Sequence, residues 1–182
     1  MLLVEAQKMV VLGGSTSSSS INRQLANHAA GLIPSAEVTD LDLRKFDLPI
    51  YSSDEEEANG IPAAAQEFKR LIESHGGIVL SLAEHNGSYS AAFKNLYDWV
   101  SRIDTKVWSE KPMLLMATSP GGRGGATVLE AAKATFPRMG AELKATFSPP
   151  SFYDNYSAEE GITSEEHKRE LAQAVSAFTS SI

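Results

Sequence analysis

Residues 8–26 read Lys8-Met9-Val10-Val11-Leu12-Gly13-Gly14-Ser15-Thr16-Ser17-Ser18-Ser19-Ser20-Ile21-Asn22-Arg23-Gln24-Leu25-Ala26. An apolar run passes through a short, hydroxyl-rich turn straight into helical periodicity, the strand–turn–helix opening of a βαβ unit. The same alternation recurs along the chain. Strand signals fall at Lys8–Leu12, Glu37–Leu41, Gly77–Leu82, Pro112–Thr118 and Glu142–Phe147; helix signals fall at Ser20–Leu32, Pro62–Ser74, Ala91–Ile103, Thr127–Met139 and Ser164–Thr179. Five of each imply an α/β, doubly wound fold, a five-stranded parallel sheet with helices on both faces. Right-handed crossovers leave few strand orders for such units, and 2-1-3-4-5 is the expected one.

A chain of 182 residues suits one domain, spanning 1–182. Hydrophobic residues make up 42% and charged residues 21%, close to globular averages and unlike disordered or membrane-spanning chains. The net charge of -7 repels a phosphate backbone and no basic run occurs, so neither a nucleic-acid nor a membrane partner is expected. With no cysteine, disulfides, thiolate metal sites and a cysteine nucleophile are excluded together, and redox chemistry requires a borrowed cofactor. Met1 to Gly14 carries Glu5 and Lys8 within its apolar stretch and lacks the features of a signal peptide, so a cytoplasmic location is expected.

In open α/β sheets, ligands sit at the C-terminal strand ends near the switch point, which directs attention to the loops after strands 1, 3 and 4. The first, Gly13 to Asn22, is too short to be a linker. It reads either as a helix N-cap over-supplied with hydroxyls, or as an anion site in which glycines admit the backbone and hydroxyls and N–H groups bind a phosphate. It has neither the Gly-Lys-Ser/Thr of a triphosphate loop nor G-x-G-x-x-G, so a monophosphate ester fits it best. The second is Ala83-Glu84-His85-Asn86-Gly87-Ser88-Tyr89. The third, Ser119-Pro120-Gly121-Gly122-Arg123-Gly124-Gly125, suggests close backbone approach to something flat.

Together the three loops resemble the NAD(P)H-dependent FMN reductases, a flavodoxin-like family that includes quinone, azo-dye and chromate reductases. The likeness runs in the same order over essentially the whole chain. The family pattern G-S-x-R-x-x-S-x-N-R is met by Gly14, Ser15, Ser20, Asn22 and Arg23, and P-E-Y-N-x-S by Glu84, Asn86 and Ser88. K-N-x-x-D-W is met by Lys94, Asn95, Asp98 and Trp99, and S-P-G-G-x-G-G in full. Ser17 stands where the family has an arginine, removing a charge-assisted contact to the phosphate, and His85 and Ala83 replace a tyrosine and a proline.

The resemblance implies FMN as cofactor, NADPH or NADH as co-substrate and a small-molecule acceptor. It places the phosphate on Ser15, Ser17, Ser20, Ile21 and Asn22, and the isoalloxazine against Glu84, His85, Asn86, Gly87 and Ser88. The loop of Ser119, Pro120, Gly121 and Gly122 then offers N–H groups, Pro120 contributing none itself, to the pyrimidine end, where charge accumulates on reduction. No catalytic side chain is implied, because hydride passes between stacked rings.

Other features carry less. Pro49–Gly60, with its run Asp54-Glu55-Glu56-Glu57, reads as a solvated acidic loop. Of the four histidines only His85 falls in a ligand loop; His28, His75 and His167 are expected at the surface or at helix ends, and no spacing suggests a metal pair. No G-x-S-x-G elbow supports a hydrolase. Phe93, Leu96, Tyr97, Trp99, Val100 and Ile103 cover more than one side of the helix 91–103, a surplus that invites a homodimer or homotetramer. Two competing functions are an FMN electron carrier without nicotinamide-dependent activity and a sensor that has lost FMN; a colourless protein marks the latter.

Overall fold

The computed structural model of the chain describes residues 7–182; the expectation about a leader rests in part on Met1–Ala6, which lie outside the described residues. The five strands β1 (Gln7–Gly13), β2 (Ala36–Leu41), β3 (Gly77–Leu82), β4 (Lys111–Ala117) and β5 (Ala141–Phe147) form a parallel sheet in the order β2-β1-β3-β4-β5. All six residues of β3 are buried, as expected of a central strand covered on both faces, and its one polar side chain, Ser81, is hydrogen-bonded to Asn22. Helices α1 (Ile21–Gly31) and α7 (Glu165–Thr179) bury Leu25, Ala29, Val175 and Phe178 against one face. Helices α3 (Ala63–Ser74), α4 (Ala91–Ile103) and α5 (Ala126–Thr135) bury Phe68, Ile72, Leu96, Trp99 and Val128 against the other.

Boundaries differ from expectation where local chemistry intervenes. The helix expected to run to Met139 leaves α geometry after Thr135 and finishes as a 3-10 turn over Phe136–Met139, since Pro137 has no N–H to donate. The acidic run at 54–57 is not a loop: Ser53–Asn59 is a helix, α2. Ser52 Oγ accepts from Glu55 N (3.0 Å), and three carboxylates in the first turn complement the helix dipole. Glu56 then accepts from Arg102 (2.9 Å) and from the Tyr51 hydroxyl (3.0 Å).

The aromatic surplus of α4 is absorbed within the chain. Phe93, Leu96, Trp99 and Val100 are buried, and the Tyr97 ring packs 5.9 Å from Trp108 and 5.4 Å from Phe136. These partners lie in segments that helical periodicity over 91–103 cannot reveal. The K-N-x-x-D-W pattern proves structural too: Lys94 pairs with Asp98 (2.7 Å), while Asn95 and Trp99 donate to Pro49 O (2.9 and 2.8 Å) and strap down the segment before α2. His75 stands at a helix end, as the C-cap of α3, and is buried there, its ring between Leu71 O (2.7 Å) and Thr39 Oγ1 (2.8 Å). His28 is half-buried beside Tyr156, and burial holds its pKa below the ordinary value.

Beyond β5 come a short helix α6 (Phe152–Asn155) and a hairpin of β6 (Tyr156–Ser157) and β7 (Gly161–Ile162), none foreseen from the sequence.

Candidate functional site

The C-terminal ends of β1, β3 and β4 converge on an open cleft of about 490 Å³. At one end lies the serine turn. A Cβ on Gly13 would sit 2.6 Å from Arg23 Cα, so only glycine lets α1 pack this closely on the strand it follows. Gly14 N donates to Ser81 O (2.8 Å) and Gly14 O accepts from Ser90 Oγ (2.7 Å), fixing the turn between β3 and the start of α4. Ser20 caps α1 by accepting from Arg23 N (3.1 Å), and Ser15 Oγ accepts from Ser17 N (3.1 Å). The hydroxyls of Ser17 and Ser19 stand 3.4 Å apart, exposed, on the cleft wall. Ile21 and Asn22, the first two helical residues, have no intrahelical acceptor for their N–H groups.

Two residues matched to the family pattern act as braces. Arg23 turns away from the cleft onto Asp40 (2.9 Å) and Asp42 (3.3 Å) at the end of β2. Asn22 was expected to hold the phosphate, but its side chain is 2% exposed and engaged: Oδ1 accepts from Ser81 Oγ (2.6 Å) and Thr118 N (3.0 Å), and Nδ2 donates to Thr118 O (3.1 Å). It pairs with Thr118 as a further strand residue would, and ties the start of α1 to β3 and β4. The physical reason is saturation: both lone pairs of the amide oxygen and one of its two N–H bonds are already used.

Ala83, Glu84 and His85 form the other end, with Ser119 and Pro120 facing them. His85 and Ser88 exchange backbone hydrogen bonds (2.9 and 3.1 Å) around Asn86 (φ 53°) and Gly87 (φ 75°), the left-handed pair of a type I′ hairpin turn. Asn86, Gly87 and Ser88 follow His85 in that tight turn, and Gly121 and Gly122 follow Pro120, each beside the residues that line the cleft. Sequence reasoning missed Ser19, Ala83, Thr118 and Tyr153, which do line it. Ser19 and Ala83 adjoin matched positions; Tyr153, beyond β5, had no sequence signal.

Glu84 borders the cleft, yet one carboxylate oxygen accepts from Val128 N (2.9 Å) in the first turn of α5. The N-cap of that helix is Gly125 (φ 77°), which has no side chain to offer, so Glu84 supplies the cap from another loop. Glu84→Ala should lower stability by about 1 kcal/mol, a fall in melting midpoint of roughly 2–4 °C, with Glu84→Gln intermediate. Thermal unfolding of the three proteins measures it, and equal midpoints would refute the capping role.

No Lys or Arg is among the described residues lining the cleft. An anion there is held by hydroxyls, free N–H groups and the positive end of α1.

Comparison with known proteins gives a consistent picture. The family model described as NADPH-dependent FMN reductase matches residues 7–155. A 2-hydroxy-1,4-benzoquinone reductase of a Burkholderia species is 37% identical over 122 residues, covering 66% of this chain and 65% of its own. The quinone reductase of Escherichia coli K12 is 30% identical over 122 residues, covering 67% and 65%. The chain thus matches slightly under two thirds of the length of these relatives. Among solved structures, the flavoenzyme NAD(P)H:acceptor oxidoreductase FerB of Paracoccus denitrificans superposes with a TM-score of 0.76 at 27% identity, covering 96% of both chains. An FMN-dependent NADH-azoreductase of Bacillus anthracis, solved with FMN, shares the fold with a TM-score of 0.62 at 14% identity over 96% of this chain and 98% of its own.

Proposed function

Because the chain belongs to the NADPH-dependent FMN reductase family, we propose that it holds FMN in this cleft and passes electrons from NADPH or NADH to a small acceptor: a quinone, a flavin, an azo compound or a metal ion. The observation that carries this reading is the meeting, in one cleft, of a hydroxyl-lined helix N-terminus with Glu84, His85, Ser119 and Pro120 from the loops after β3 and β4. The first suits a single terminal phosphate, and the loops leave room for a planar ring. When bound, FMN supplies the chemistry, accepting hydride at N5 from the nicotinamide and yielding two electrons to the acceptor.

The protein's part is binding and orientation. The amides of Ile21 and Asn22 and the hydroxyls of Ser15, Ser17 and Ser19 hold the phosphate; His85 and the Ser119–Pro120 backbone flank the ring. No side chain need give or take a proton for hydride transfer. The same reading takes residues 1–182 as one FMN-binding domain acting in the cytoplasm. No helix among the described residues is long and apolar enough to cross a membrane. It also includes assembly of two or four copies over α4, beside which Ile50 is left 78% exposed next to Phe46 and Leu48.

The decisive experiment is an absorption spectrum of the purified protein supplied with FMN, followed by anaerobic NADH and NADPH in separate cuvettes. Bound FMN whose visible band bleaches with at least one nicotinamide is the expected result. Protein that retains no FMN overturns the proposal, and bound FMN that neither nicotinamide reduces leaves an electron carrier in its place.

A further inference from the structure

Tyr153 stands out on the cleft wall. Besides His85 it is the one aromatic ring among the described residues lining it, and it is 70% exposed. Its surroundings are nonetheless rigid. Ser151 N donates to Gly121 O (2.9 Å) and Phe152 N to Ser119 O (3.0 Å), so the backbone leading to Tyr153 is bonded to the 119–121 loop after β4, whose Ser119 and Pro120 line the cleft. Phe152 is buried and stacks on Tyr156, centroids 4.4 Å apart and planes 22° from parallel. Asn155 Nδ2 donates to Pro150 O (3.0 Å), and Asn155 O accepts from Thr163 N (2.9 Å). Ser151 is held at φ 46°, in the left-handed region that serine adopts at an energetic cost.

A braced backbone that presents an uncovered ring beside a planar ligand space is a preformed stacking surface. We propose that Tyr153 is the aromatic wall of the site and stacks on the flavin ring, setting both affinity for FMN and the environment of its excited state. This rests on the reading of the cleft as an FMN site. The assignment to the ring, not the phosphate, follows from the bonds of residues 151 and 152 to the 119–121 loop. Within the protein the ring meets Phe152 edge-on (centroids 5.7 Å apart), a contact that Tyr153→Phe retains, while Phe152 stays stacked on Tyr156.

Fluorescence titration of FMN into wild type, Tyr153→Phe and Tyr153→Ala tests this. A phenol in contact with a flavin quenches its emission by electron transfer, which a phenyl ring cannot do. Bound FMN is therefore expected to be dark in wild type and severalfold brighter in Tyr153→Phe, at affinity within about twofold of wild type. Tyr153→Ala should bind about three- to tenfold more weakly, the range of one aromatic stacking contact. Unchanged emission of bound FMN in Tyr153→Phe overturns the contact, whatever the alanine variant does. Wild type that binds no FMN overturns this inference and the proposed function together, so the two failures are distinguishable.

Discussion

Asn22→Ala should be the most damaging single substitution at the cleft. Removing the amide strips Thr118 N–H and C=O of their side-chain partners and leaves Ser81 Oγ without its acceptor, all of them buried. Unsatisfied buried groups cost about 1–3 kcal/mol each; with the Ser81 hydroxyl free to rotate toward another acceptor, a total of about 2–4 kcal/mol is expected. For a chain of this size that lowers the melting midpoint by roughly 5–15 °C. FMN binding should weaken by about tenfold, or about 1.4 kcal/mol, because the amides of residues 21 and 22 lose their fixed place relative to β4. Ser18→Ala is the contrast. Ser18 lies outside the cleft, against Arg23, Gln24 and Asn27, and its replacement should change FMN affinity less than twofold. Calorimetric unfolding and flavin titration of both variants give the comparison; equal losses would mean that the serine turn meets its ligand in another register.

Ser17→Arg should act in the opposite direction. Ser17 is exposed on the cleft wall, and its hydroxyl meets only that of Ser19. The nearby carboxylates offer little competition for a new guanidinium: Asp40 holds Arg23, and Asp42 is shared by Arg23 and Arg44. The Arg44 guanidinium keeps the Asp42 carboxyl well below the usual carboxylate range, so that pair stays formed at neutral pH. A charged hydrogen bond to a phosphate dianion is worth about 1.5–3 kcal/mol, from which ordering the side chain subtracts up to about 2 kcal/mol. FMN should bind up to about tenfold more tightly in low salt. The gain should shrink as ionic strength rises and the screening length falls below about 10 Å. Titrations at two salt concentrations decide it. Weaker binding in both would place the phosphate away from residue 17.

The two substitutions probe different layers of the same turn. One removes a buried brace that sets where the N–H groups stand; the other adds charge to a surface the braces already hold. That division explains why Arg23, which matches the family pattern, does not supply the missing cation. Its ion pairs with Asp40 and Asp42 hold α1 against the end of β2, and the proposed anion site is left to neutral donors.

The strand–turn–helix alternation by itself determined the fold class, because apolar strand runs and period-3.6 helix faces are local properties and right-handed crossovers leave few orders for five such units, 2-1-3-4-5 being one of the two common ones. It also pointed to the loops after β1, β3 and β4, which meet at the switch point and line the candidate cleft. Which atoms of those loops face the cleft was not a local property. Asn22 could be recognised as a special residue, but its partners Ser81 and Thr118 lie 59 and 96 positions away, and only strand pairing brings them within hydrogen-bond reach. Glu84 caps a helix that begins some forty residues later, for want of a side chain on Gly125. That His85 and Ser88 close a tight turn over Asn86 and Gly87 followed only from the placed backbone. Part of the aromatic stripe of α4 packs on Trp108 and Phe136, partners its own periodicity could not name, and Tyr153 reaches the cleft on a backbone bonded to the 119–121 loop. Periodicity records whether a side chain is buried or exposed; what it is buried against, or exposed beside, is fixed by contacts between segments distant in sequence.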